Sequence, residues 1–180
     1  GYTGMTPAAF ADGLRALAGE AGLPPEQVAL GGDHLGPHPW RAMGTALAMA
    51  RGAETVRQYV RAGASKIHLD ASMACADDPG GTLEEPVVAA RTAELAAAAE
   101  SAAAEVSSAP LYVVGTEVPP PGGHAGGGSG PEVTRAEDAE RTLGLVREAF
   151  ARRGLERALP RVVALVVQPG VEFGDDAVFP

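Results

Sequence analysis

The sequence predicts an α/β fold, a partial TIM (β/α)8 barrel of about four consecutive βα units with parallel strands. Three observations carry that expectation. Short apolar runs alternate with longer segments of helical spacing along the 180 residues, the rhythm of parallel βαβ units. The apolar runs lack polar alternation, as strands do when both faces of a sheet are covered. Each run is also followed by a polar group, and (β/α)8 enzymes build their sites at the carboxyl ends of the strands.

The elements follow in order. Thr6 is placed to cap a first helix with Pro7 at its first position, and Phe10, Leu14 and Leu17 then fall at helical spacing. "QVALGG", 27–32, reads as a strand ahead of Asp33 and His34. A helix is expected from Thr45 to Ala62, with Gly63 as its stop. "SKIHLD" reads as a second strand, and "TLEEPVVAARTAELAAAAESAAAEV" as a long alanine-rich helix with Glu84, Glu85 and Pro86 in its first turn. "LYVVGT" is a third strand, and the Pro/Gly-rich stretch 117–131 is expected to be a flexible loop. In the last helix Thr134 and Glu137 make a capping box and Gly154 a stop. "RVVALVV" is the final strand.

The chain reads as one domain, 1–180, forming the middle part of a barrel. It does not begin with Met and is shorter than the roughly 250 residues of a closed barrel. An incomplete barrel would leave two unpaired sheet edges, so residues 1–180 alone are expected to fold poorly or aggregate. Lys+Arg is 14 against Asp+Glu 23, a net charge of −9. So acidic a chain repels phosphate backbones, and no nucleic-acid partner is expected. No apolar run is long enough to span a membrane, so none is expected there either. The one cysteine, Cys75, allows no internal disulfide, suits a cytoplasmic location, and reads as structural.

"GGDHLG" fails the dinucleotide-binding G-x-G-x-x-G pattern because Asp33 stands where the second glycine must be, and the Gly-rich loop lacks a G-K-[ST] ending. The barrel reading places Asp33 and His34, then Asp70, Glu117 and Gln168, at successive strand ends. Asp33-His34 suits a base beside a ligand for a divalent ion that polarises a carbonyl; an ordinary polar turn is the competing reading. Lys66, His68 and Asp70 share one face of their strand, Asp70 nearest the active rim and His68 one layer deeper. Lys66, the sole lysine, starts that strand far from the rim, which argues against a Schiff-base aldolase. Glu117 is a candidate acid/base group; Asp70, Ser72 and Gln168 are candidate substrate contacts.

"GYTGMTP", "GGDHLGP", "AGASKIHLDASM", "YVVGTEVPPPGG" and "RVVALVVQPGVEF" resemble, in the same order, the GatZ/KbaZ family. The resemblance implies a TIM barrel and the role of non-catalytic subunit of a class II D-tagatose-1,6-bisphosphate aldolase, often labelled tagatose-6-phosphate kinase. It implies a catalytic class II aldolase subunit as partner and a sugar phosphate as ligand. By similarity to the zinc-dependent catalytic enzymes, Asp33 stands at the catalytic aspartate and His34 at the first zinc-binding histidine. Those enzymes place another histidine after the strand matching "RVVALVV", where this chain has Gln168-Pro169-Gly170. The alternatives are an independently active metal-dependent ketose or ketose-phosphate epimerase or aldolase, with Asp33 and Glu117 as the acid/base pair, and third the kinase.

Overall fold

The computed structural model describes residues 4–115, 133–169, 172–173 and 178–179. Thr6 caps the first helix, α1 (Pro7–Glu20), its hydroxyl accepting from the Ala9 N–H. That helix buries Ala11 and Ala18, with Leu14 packed alongside, while Phe10 and Leu17 are exposed. The buried stripe is narrow and small, one position off the large apolar residues.

Four parallel strands follow in spatial order β1 (Gly31–Leu35), β2 (Lys66–Leu69), β3 (Leu111–Gly115), β4 (Val162–Val166). Between them run α2 (Thr45–Arg61), α3 (Glu85–Glu105) and α4 (Ala136–Arg152), α2 packing on α3 and α3 on α4. A further antiparallel pair, β5 (Glu172–Phe173) and β6 (Val178–Phe179), was not expected from the sequence.

Ile67 and Leu69 of β2 and Tyr112 and Val114 of β3 are fully buried and face the helices. The buried residues of α3, from Ala89 to Ala103, are mostly alanine, with Leu95 the large apolar one and Arg91 and Thr92 the polar ones. Side chains as small as alanine let a helix lie close to a sheet. Where polar groups enter this layer they are paired: the Tyr112 hydroxyl bonds to Glu100, which also takes the Arg161 guanidinium. Burial first, and then the Glu100 carboxylate, push the Tyr112 phenol up, so it stays protonated as a donor.

Two boundaries differ from expectation. The first strand begins at Gly31, not Gln27, because Pro24 and Pro25 set a short 3-10 turn over Pro25–Gln27 and β2 offers pairing only from Lys66 onward. Asp33 and His34 therefore lie inside β1. The last helix begins at Ala136 with Arg135 as its cap residue. Thr134 does not cap it, because its hydroxyl accepts instead from the Gln168 N–H at 2.8 Å, while its own N–H donates to the Gln168 carbonyl.

The β2–α3 connection is locked to α2. Asp77 Oδ1 accepts from both the backbone N–H and the hydroxyl of Thr45, each at 2.6 Å, supplying from outside the acidic group the first turn of α2 lacks. Its neighbour Asp78 forms a forked ion pair with Arg91 of α3 at 2.6 and 2.9 Å and accepts from the Cys75 N–H.

Close approach fixes β1 against the end of β2. The Asp70 N–H donates to the Leu35 carbonyl at 3.0 Å, and a Cβ on Gly36 would lie 1.7 Å from the Asp70 carbonyl oxygen. Gly36→Ala must therefore push the two strands apart. It is expected to cost about 3 kcal/mol or more, read in the full-length chain as a fall in the urea midpoint at unchanged slope.

A second prediction concerns acid. The hydrogen bond from Arg91, acting against desolvation, holds the Asp78 carboxyl down at about 2, below its ordinary 3.8. Its contribution is complete above about pH 4 and is lost as pH falls toward 2. It is expected to be about 2 kcal/mol, seen as a fall in thermal midpoint across that window that is smaller in Asp78→Asn.

Candidate functional site

The site grows from a register fault. Gly32 pairs with Ile67 and Leu35 with Leu69, so three steps along β1 oppose two along β2. One extra residue is accommodated at Asp33-His34, a bulge of the kind that re-aims side chains. His34 takes φ +48, the left-handed region uncommon for a residue with a Cβ. The pair of glycines at 31 and 32 is the local signal for such a fault.

The bulge brings the Asp33 carboxylate to the level of the middle of β2. The Lys66 ammonium donates to its Oδ1 at 3.2 Å, and His68 Nδ1 lies 3.0 Å from the same oxygen. His34 Nδ1 lies 3.2 Å from Oδ2, and the two imidazole rings tilt against each other with centroids 4.6 Å apart. Partial desolvation pushes the Asp33 carboxyl up. The hydrogen bonds from His68 and Lys66, the Lys66 charge and the nearby His34 outweigh it and hold the group below its ordinary value, so Asp33 is ionised at neutral pH.

His68 is the buried member, its side chain only 3% exposed. Its Nε2–H donates to the Gly115 carbonyl at 3.1 Å. Gly115 closes β3 at φ +89, and a Cβ there would meet Leu165 at 2.7 Å, so the chain turns where only glycine fits and presents its carbonyl to His68. The expectation that Lys66 lies far from the site is corrected here. It does open β2, but its four-carbon stem runs along the sheet face until the ammonium meets Asp33.

The other expected residues fall elsewhere. Asp70 is buried and its Oδ1 accepts from the Ser72 N–H at 3.0 Å and the Ser72 hydroxyl at 2.6 Å, so the two form a local turn. Ser72 and Gly115 line a cavity of about 700 Å³ between α3, α4 and the ends of the strands, together with Arg41, Thr82 and Arg141; Asp33, His34 and His68 are not in its lining. Gln168 is buried beside Thr134. Glu117 lies outside the described residues, as does the loop 117–131.

Asp33, His34 and His68 each offer one ligand atom, all within 4.8 Å of one another. Two imidazoles and a carboxylate suit a divalent transition metal. The bond from His68 Nε2–H to a carbonyl is the type of contact that orients a ligating histidine. The donor set therefore fits a zinc-type ion, with Lys66 as the cation already beside it.

The model of a family described as D-tagatose-1,6-bisphosphate aldolase subunit GatZ/KbaZ-like matches residues 1–180. A Salmonella typhimurium protein named D-tagatose-1,6-bisphosphate aldolase subunit GatZ is 55% identical over 174 residues, covering 96% of this chain and 41% of the relative. Its namesake in Salmonella newport is 53% identical over the same coverage. A crystal structure described as a probable tagatose 6 phosphate kinase from Sinorhizobium meliloti 1021 matches with TM-score 0.84 and 43% identity, covering 99% of this chain and 41% of that one. The chain thus spans about two fifths of the length of these relatives.

The left-handed His34 yields a stability prediction. In chelating buffer, His34→Gly relieves the backbone conformation and is expected to raise stability by about 1 kcal/mol, measured by urea unfolding. A loss of stability would show that the imidazole itself holds the bulge together.

Proposed function

The chain belongs to the GatZ/KbaZ-like family, and from that premise we propose that it acts as the non-catalytic, stabilising and activating subunit of a class II D-tagatose-1,6-bisphosphate aldolase. Its partner is the catalytic class II aldolase subunit, its ligand a sugar phosphate, and its setting the cytoplasmic catabolism of galactitol, amino sugars or tagatose. The observation that carries this reading is 55% identity across 96% of the chain to proteins named as that subunit.

The site supports it in two ways. At the end of β4, Gln168 and Pro169 stand where the resemblance to the catalytic enzymes calls for a histidine, and the Gln168 backbone is tied to Thr134. The sole lysine is engaged by Asp33, which disfavours a Schiff base. Kinase chemistry draws no support from the sequence, which has no glycine-lysine phosphate cradle. Among the described residues no helix is long and apolar enough to cross a membrane.

In this reading Asp33 is the acid/base candidate of the described site and Ser72, on the cavity wall, the sugar-contact candidate, with Asp70 positioning Ser72; Glu117 lies outside the described residues. A divalent ion, when bound, would supply Lewis acidity at Asp33, His34 and His68. This chain's own residues do the positioning: Gly115 aims His68, and His68 and Lys66 keep Asp33 ionised.

The test is co-purification of the full-length chain with the catalytic subunit, followed by cleavage of D-tagatose 1,6-bisphosphate. The chain alone is expected to be inactive. Its addition is expected to raise the partner's activity or its half-life at growth temperature several-fold. Metal-dependent turnover of a ketose phosphate by the chain alone would overturn the reading, as would a partner indifferent to its presence.

A further inference from the structure

We propose that Asp33, His34 and His68 bind one divalent transition-metal ion on this subunit itself, and that Lys66 is a built-in competitor for the same carboxylate. The proposal stands on the geometry of the cluster and does not depend on assembly with an aldolase partner.

The first support is hydrogen-bond accounting at His68. Both ring nitrogens face oxygen, Nδ1 the Asp33 carboxylate at 3.0 Å and Nε2 the Gly115 carbonyl at 3.1 Å. A carbonyl only accepts, so Nε2 carries the proton. Nδ1 faces Asp33 Oδ1 as a donor without metal, and the same nitrogen and oxygen are placed to share an ion once that proton leaves.

The second support is convergence. His34 Nδ1 approaches the other carboxylate oxygen at 3.2 Å, so two imidazole nitrogens and the carboxylate gather round one point. Zinc bonds of about 2.0–2.2 Å require ligand atoms about 3.3–3.6 Å apart in a tetrahedron; the three ligand atoms lie within 4.8 Å of one another, so the wider-set pair must close when an ion enters. Three protein ligands leave a position open for water or an oxygen ligand.

Third, the backbone is strained to make this meeting. The bulge with His34 at φ +48 is what brings its ring to 4.6 Å from that of His68, and strain of this kind gathers at functional sites. Lys66 completes the logic. Its ammonium, 3.2 Å from Asp33 Oδ1, neutralises the carboxylate without metal and must yield that oxygen, or repel the ion, when metal enters.

The experiment uses the full-length chain, stripped with a chelator and titrated with Co²⁺. Visible d–d absorption reports the ligand field, and Zn²⁺ calorimetry reports affinity. One saturable Co²⁺ per chain is expected, displaced by Zn²⁺. His68→Gln and His34→Gln should each weaken binding about 100-fold or more and alter the spectrum. Lys66→Met should tighten binding about fivefold, the removal of one exposed competing charge. That gain of affinity cannot come from a variant that fails to fold. Absence of saturable Co²⁺ binding would overturn the site, and so would affinity unchanged in His68→Gln. Affinity unchanged or weakened in Lys66→Met would overturn the competitor role. Partner activation is assayed separately, so failure here leaves that result standing.

Discussion

One surplus residue in β1, set against β2, governs where the chemistry of this chain lies. A regular ladder would carry Asp33 and His34 to opposite faces at the end of the strand. The bulge turns both toward His68, and the two flanks of the fault are pinned. Upstream, Gly31 and Gly32 pair with Lys66 and Ile67; downstream, Leu35 pairs with Leu69 and Gly36 lies flat against the Asp70 carbonyl. The close contact at Gly36 leaves no room for the strands to slip and expel the extra residue. Strain at His34 is held by ordinary packing on either side.

That geometry sets the electrostatics. The chain is strongly acidic overall, yet at the bulge a single carboxylate meets an ammonium and two imidazoles. Most other carboxylates with described partners are spent on structure: Asp77 on the start of α2, Asp78 on Arg91, Glu100 on Tyr112 and Arg161. Asp70 is folded back on Ser72. Asp33 is distinguished by facing a cluster of groups that can exchange protons or share an ion, with the buried His68 tying it to β3 through Gly115.

The alternation of elements was legible because it rests on local chemistry. Thr6 and Pro7 start α1 where expected, α2 ends ahead of Gly63, and the four parallel strands fall in chain order. Errors arose where a side chain had a distant rival partner. Thr134 fits a capping box by sequence, but Gln168, 34 residues away, takes its hydroxyl. Phe10 and Leu17 mark a helical face by sequence, but α1 meets the fold through Ala11 and Ala18.

By itself the sequence determined the βα rhythm, the family blocks, the face shared by Lys66 and His68, and the choice of Asp33-His34 as the place to look. These follow from periodicity, turn residues and residue chemistry, which act over a few positions. Only the tertiary structure decided that Asp33 meets Lys66 and His68, that Asp70 turns to Ser72, and that the site is a bulge instead of a strand end. Those outcomes depend on register between β1 and β2, set by backbone pairing and by the contact of Gly36 with a carbonyl 34 residues further along the chain. No local pattern encodes such a contact, because its energy exists only once both strands are in place.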